Sequence, residues 1–156
     1  MERTLIILKP DSIQRGLIGA IISRFENKGL QIVGLKFAVI SKQTAQEHYG
    51  IHKGKPFYDN LVRFMASSPV VLIVLQANNA VDVARKMMGA TSGFKAEPGT
   101  IRGDFGLSSS YNLIHGSDSP ENAQAEIARF FSDGELFDYP AALGSWIYDQ
   151  TSGKPQ

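Results

Sequence analysis

Cysteine is absent from all 156 residues, so a disulfide framework, a thiolate zinc site and a cysteine nucleophile are excluded together. Long apolar runs are missing as well: the longest, Val70 to Leu75, falls far short of the roughly 20 residues a membrane span needs. The N-terminus has no basic-then-apolar signal region, so a cytoplasmic protein is expected. The 15 Gly and 7 Pro are scattered rather than clustered, which removes collagen and low-complexity chains, and 43% hydrophobic residues is the composition of a globular domain. Nucleotide-binding signatures are lacking too. The nearest approach to a P-loop, Gly50-Ile51-His52-Lys53-Gly54-Lys55, has one residue too few between its glycines and Pro56 where Ser or Thr should hold magnesium. There is no GxGxxG, GxSxG, HExxH or kinase catalytic-loop set. If the chain handles phosphate, it does so by other means.

What is present begins with charge. The net charge of +1 conceals 14 Lys+Arg against 7 Asp+Glu over residues 1–102, and 2 against 8 over 103–156. A basic first part raises the prospect of an anionic partner. The length fits one domain, 1–149, followed by a polar tail at 150–156, with no repeat or linker.

The periodicities predict the elements. Thr4 to Leu8 reads as a buried strand stopped by Lys9-Pro10-Asp11. Ile13, Leu17, Ile18, Ile21, Ile22 and Phe25 share one helical face, with Asp11 or Ser12 as N-cap and Gly29 past the end. A strand follows over Leu30 to Ile40 with Gly34 as a possible bulge, then short helices over 42–49 and 57–67. Val70 to Leu75 is a buried strand, Asn78 or Asn79 caps a helix over Ala80 to Met88, and Ala90 to Ser110 is a long loop of functional length. Tyr111 to His115 is a brief strand, Ser119-Pro120-Glu121 opens a helix to about Phe131, and a short segment wraps around through Tyr148. With the pair at 42–67 set aside as an inserted helical hairpin, the order β-α-β, β-α-β is the ferredoxin-like split βαβ arrangement of the α+β class: an antiparallel sheet with helices on one face.

Three histidines are candidates for chemistry. His48 and His52 lie in a polar stretch and read as surface residues. His115 ends a strand beside Gly116, Ser117 and Asp118, where side chains converge on ligands. On the next helix Ala123, Ile127, Phe130 and Phe131 form the apolar stripe and Glu126 sits at its edge. A carboxylate on one imidazole nitrogen fixes the tautomer and leaves the other nitrogen a nucleophilic lone pair. The plainer reading of His115 is a strand-end histidine ahead of a helix cap.

Asn112-Leu113-Ile114-His115-Gly116-Ser117-Asp118 resembles the active-site signature of nucleoside diphosphate kinases. The resemblance extends over Thr4 to Arg15, His48-Tyr49 with Pro56-Phe57, Arg85 to Gly89, Pro98 to Gly106, and Trp146-Ile147-Tyr148. It implies ping-pong transfer of the terminal phosphoryl group from a nucleoside triphosphate such as ATP to a nucleoside diphosphate through a phosphohistidine, with magnesium (Mg2+) carried by the nucleotide phosphates. A phosphoramidate keeps its transfer potential, whereas a serine ester would trap the group. Such chemistry asks mainly for positioning and charge neutralisation.

By matching positions the resemblance makes His115 the nucleophile, oriented by Glu126 with Tyr49 and Ser117 nearby. Arg85, Thr91 and Arg102 fall on the phosphate clamp, where guanidinium forks suit phosphate oxygens. Taken alone, Arg85 could equally complement a helix dipole and Thr91 be a loop hydroxyl. Lys9 and Asn112 fall on contacts to ribose and phosphate, and Phe57, with Leu61 beside it, on the base-stacking position; its plain alternative is helix core. Stacking tolerates any base. Two departures stand out: Thr91-Ser92-Gly93 where the family has Asn-Pro or Asp-Pro after the threonine, in a loop that also makes subunit contacts, and Lys55 where Arg is common. The family forms hexamers and tetramers, and the Trp146-Ile147-Tyr148 ending resembles the hexameric members. An RNA-binding module of the same sheet topology is disfavoured because no aromatic-rich RNP1 pattern exists, so no nucleic acid is expected. A silent scaffold is disfavoured by His115, Glu126 and both arginines.

Overall fold

The computed structural model describes residues 1–142, 144–149 and 151, so the expected polar tail over 150–156 lies outside the described residues except for Thr151. The chain runs β1 (Glu2–Leu8), α1 (Pro10–Gln14), α2 (Ile18–Lys28), β2 (Gln31–Ala38), α3 (Lys42–His48), α4 (Tyr58–Met65), β3 (Val70–Ala77), α5 (Ala80–Met88), α6 (Ile101–Phe105), β4 (Ile114–Gly116), α7 (Pro120–Phe130) and α8 (Gly144–Ile147). The four strands form one sheet in the order β2-β3-β1-β4, every pair antiparallel, which is the ferredoxin-like arrangement. Its two centre strands are the two unbroken apolar runs. Leu5 to Leu8 and Ile73 to Leu75 are wholly buried because helices cover both sides of them.

Here the expectation of helices on one face is corrected. Ile6 and Leu8 of β1 pack with Ile21 and Phe25 of α2 and Ala84 and Met88 of α5. The alternate residues Leu5 and Ile7 pack with Ala45 of α3, Val62 and Met65 of α4, and Ile127 of α7. The inserted hairpin and α7 therefore cap the second face, and the site is built under them.

Local departures have local causes. The single helix expected across Ile13 to Phe25 is two, because Gly16 takes φ +66° and Leu17 N–H turns back to the Ser12 carbonyl. The Gly34 bulge is present as a register shift between Ile32 and Gly34. Asn79 occupies the α5 N-cap position in the left-handed region without a side-chain cap, and Glu2 Oε1 accepts the Val81 N–H instead at 2.7 Å. The long loop after α5 encloses α6, whose N-cap Thr100 Oγ1 accepts from Gly103 N–H at 3.0 Å. At the end of the wrap-around segment, Tyr148 Oη accepts from the Asn78 N–H at 3.2 Å.

The Gly103 Cα packs against the Glu97 carbonyl and the Thr100 hydroxyl so closely that an added methyl would overlap both, whereas no described residue lies within 4 Å of one at Gly134. Gly103→Ala is expected to lower stability by about 1–3 kcal/mol in urea unfolding at fixed protein concentration, and Gly134→Ala to change it little. Equal midpoints for the two variants would contradict this packing.

Candidate active site

β4 is only three residues long, yet its register places its central side chain. His115 pairs with Ile7, whose side chain lies in the second core, so the imidazole projects onto the face covered by α3 and α7. The approach to it is strained: Leu113, fully buried, takes φ +72°, a conformation bulky residues rarely adopt. Three hydrogen bonds hold it there. Lys9 N–H and Ser12 Oγ donate to the Leu113 carbonyl at 2.8 and 2.7 Å, and Asp11 Oδ2 accepts the Leu113 N–H at 3.0 Å. Asp11 and Ser12, expected as helix caps, are therefore clamps on the strand that carries His115.

Ser119 Oγ caps α7 by accepting from Asn122 N–H at 3.1 Å, and buried Ala123 and Ile127 orient the helix so that Glu126 reaches the imidazole. Glu126 Oε2 stands 3.2 Å from His115 Nε2 and accepts from Ser117 Oγ at 2.6 Å. Ser117 is fully buried and its Oγ accepts the Leu5 N–H at 3.2 Å. An ionised carboxylate only accepts, so the imidazole proton belongs on Nε2 and the lone pair on Nδ1. Burial works to raise the Glu126 pKa, but the bonds and charge of His115 and the Ser117 hydroxyl outweigh it and hold the carboxyl below its ordinary range.

His48 corrects an expectation: it is not a surface residue. Its ring is buried, 4.7 Å from the His115 ring and edge-on to it, between Tyr49 and Phe130. Arg129 Nη1 approaches its Nδ1 at 3.3 Å, and its Nε2 has no partner among the described residues. Burial, then the neighbouring His115, pushes the His48 pKa down to about 3, so the ring is neutral at physiological pH. Tyr49 is buried too, 6.0 Å from His115 by ring centroids, with a hydroxyl that has no partner among the described residues and whose pKa burial raises. The sequence signal for His48 and Arg129 was faint: His48 lies i+3 from Ala45, on the inner face of α3, within an otherwise polar helix.

The cations gather around Asn112. Lys9, 7% exposed, donates from Nζ to Asn112 Oδ1 at 2.8 Å, and Asn112 Nδ2 donates to the Thr91 carbonyl at 3.0 Å. Arg102, equally buried, donates to the carbonyls of Asn112, Gly89 and Ile114 at 3.1, 3.0 and 2.6 Å. Burial and then Arg102 push the Lys9 pKa down to about 8; burial and then Arg85 push the Arg102 pKa down to about 10. Arg85 is exposed, with Nη1 3.5 Å from the Gly116 carbonyl. Thr91 is exposed beside them. Phe57 is 48% exposed at the N-cap of α4, so it is not helix core; the His52 ring lies 5.4 Å away, Lys55 Nζ is 5.8 Å from its ring, and half-buried Leu61 sits one turn on.

Buried cations whose pKa values are lowered by burial and by a neighbouring guanidinium want an anion, and with an imidazole that keeps a lone pair they point to an enzyme that handles phosphate. Comparison with known proteins agrees. The family model for nucleoside diphosphate kinase matches residues 2–136. Over 149 residues the chain is 56% identical to a nucleoside diphosphate kinase of Pelotomaculum thermopropionicum, covering 96% of this chain and 100% of that one, and 53% identical, with the same coverage, to that of Roseiflexus castenholzii. Among solved structures, a halophilic nucleoside diphosphate kinase from Halobacterium salinarum in complex with CDP superposes with a TM-score of 0.93 at 48% identity, covering 95% of this chain and 99% of that one. A Babesia bovis family member gives 0.91 at 41%, covering 95% and 100%. This chain belongs to the nucleoside diphosphate kinase family.

The depressed His48 pKa has a measurable sign. An unfolded chain takes up this proton near pH 6.5 while the folded one resists to about pH 3, so stability falls as pH drops through that window. Urea unfolding at a series of pH values should show His48→Gln losing up to about 1.4 kcal/mol per pH unit of that dependence. Parallel pH profiles for the two proteins would show that His48 takes up protons normally when folded.

Proposed function

We propose that this chain, as one domain over 1–149, moves the terminal phosphoryl group of a nucleoside triphosphate to a nucleoside diphosphate in two half-reactions through His115. The observation that carries the reading is the Glu126 carboxylate on His115 Nε2, which leaves Nδ1 with the lone pair. In the first half-reaction Nδ1 bonds to the γ-phosphorus as the bond to the β–γ bridging oxygen breaks. The nucleoside diphosphate leaves with that electron pair, and the proton on Nε2 stays where it is. Phosphorylated imidazole carries positive charge, and Glu126 offsets it. In the second half-reaction an acceptor diphosphate oxygen attacks phosphorus and the lone pair returns to Nδ1.

The remaining residues supply positioning and charge. Arg102, with three of its five N–H groups committed to carbonyls, is rigid and keeps two for phosphate oxygens. Arg85 and Thr91 flank it, and Lys9 and Asn112 take ribose and phosphate. The unpartnered Tyr49 hydroxyl is a donor for a phosphoryl oxygen. Phe57, exposed and free to stack, with Leu61, takes the base without reading its edges. Magnesium is part of the substrate: it prefers phosphate oxygens and water, and the imidazole-rich set around His115 does not suit it. The chain is proposed to act as a homo-oligomer, a hexamer in preference to a tetramer, supported by its Trp146-Ile147-Tyr148 ending and by the exposed Leu35, Phe37 and Val39 along the edge strand β2 and its end. Among the described residues no helix is long and apolar enough to cross a membrane.

Incubation with labelled ATP and magnesium, without acceptor, should give an acid-labile, alkali-stable phosphoprotein that GDP or CDP discharges and His115→Ala abolishes. Label surviving in His115→Ala would overturn the assignment. Glu126→Gln, which keeps the shape but loses the charge, should lower kcat and kcat/KM together by about 10²-fold. Lys9 predicts a pH dependence: it loses its proton above about pH 8 in the free protein. The nucleotide KM should therefore rise above that pH, and in Lys9→Met that rise should be absent.

A further inference from the structure

The pairing of His48 with the His115–Glu126 couple places three metal-ligating groups together. We infer that His48, His115 and Glu126 form a binding site for a zinc-class divalent cation, and that its occupancy switches His115 off as a phosphoryl acceptor. One donor atom from each of the three lies within 4.8 Å of the other two. The 3.2 Å between His115 Nε2 and Glu126 Oε2 is close to the roughly 3.3 Å edge of a tetrahedron whose metal bonds are about 2.0–2.1 Å. His48 supplies the third donor of the same cluster.

The third donor is the telling one. His48 Nε2 is buried and has no partner among the described residues, and an orphaned polar atom beside the reacting group asks what it is for. Two imidazoles and one carboxylate, with a fourth position open to water, is a donor set that suits zinc. Magnesium, which demands oxygen ligands in octahedral geometry, does not compete for it.

Arg129 opposes the metal. A guanidinium has only donors, so its contact with His48 Nδ1 makes that nitrogen the acceptor and puts the proton on Nε2. Capture of a cation at Nε2 moves this proton to Nδ1 and releases Arg129, which lies exposed on α7 and can turn outward. The consequence for His115 holds whichever of its nitrogens takes the cation. The other nitrogen then keeps the ring's single proton, and no lone pair remains for phosphorus. This last step rests on the reading of His115 as phosphoryl acceptor; the binding of the metal does not.

Titration of zinc into the full chain against a chromogenic chelator, with magnesium present in excess and no nucleotide, tests the site. One zinc per chain is expected, at least about tenfold weaker in His48→Gln and Glu126→Gln, several-fold tighter in Arg129→Ala, and unchanged in His52→Gln. No uptake by the unaltered chain at about 100 µM zinc, or a loss that follows His52→Gln rather than His48→Gln, overturns the site. Cobalt spectroscopy on the unaltered chain needs no variant to fold: an intense visible band reports tetrahedral coordination, and a weak octahedral spectrum overturns it. A chain first phosphorylated with ATP should take up no zinc. Equal uptake by the phosphorylated and free chains, with the variant series as expected, would leave the metal site standing and overturn its coupling to phosphoryl transfer.

Discussion

Glu126 accepts from two donors at once, and the rest of the site is arranged so that it can. Its carboxylate meets His115 Nε2 on one side and the Ser117 hydroxyl on the other. Ser117 is itself fixed, because its oxygen accepts the Leu5 N–H from the centre strand of the sheet. A helix, a three-residue strand and the central strand are thereby tied through two oxygen atoms, Glu126 Oε2 and Ser117 Oγ. The tie decides which imidazole nitrogen has a lone pair, and that decision is chemical rather than structural.

The cost of this arrangement is visible nearby. Leu113 is held in a left-handed conformation, and Lys9 and Arg102 are buried within reach of each other's charge. Strain and like-charge crowding persist only where the surroundings over-determine them. Here the surroundings are the two cores, one on each face of the sheet, and the hydrogen bonds from Lys9, Asp11 and Ser12 that grip Leu113 from both sides. On the proposed reading, the anion that relieves the crowding is the nucleotide's own phosphate.

Much of the fold was legible in the sequence. Two unbroken apolar runs became the two centre strands, Gly34 the bulge, Ser119-Pro120 the start of α7, and the edge position of Glu126 on its apolar stripe became the contact with His115. The failures share a cause. Asp11 and Ser12 have the residue types of helix caps, and only the fold shows that their partners lie about a hundred positions away at Leu113. The helical face expected from Ile13 to Phe25 runs across Gly16, which turns the chain instead. His48 sits in a polar stretch whose burial depends on α7 arriving from 80 residues further on, which no local window contains. Long-range pairings of polar groups leave almost no periodic trace, whereas apolar faces do.

The nitrogen assignment is the centre of this reading, and it is directly observable. The unaltered chain, grown with 15N in its histidines and phosphorylated with ATP, should show one phosphoramidate resonance by 31P NMR, with 31P–15N coupling to Nδ1 of His115. Coupling to Nε2, or a phosphate ester resonance from Ser117, would contradict the claim that Glu126 selects the nucleophile.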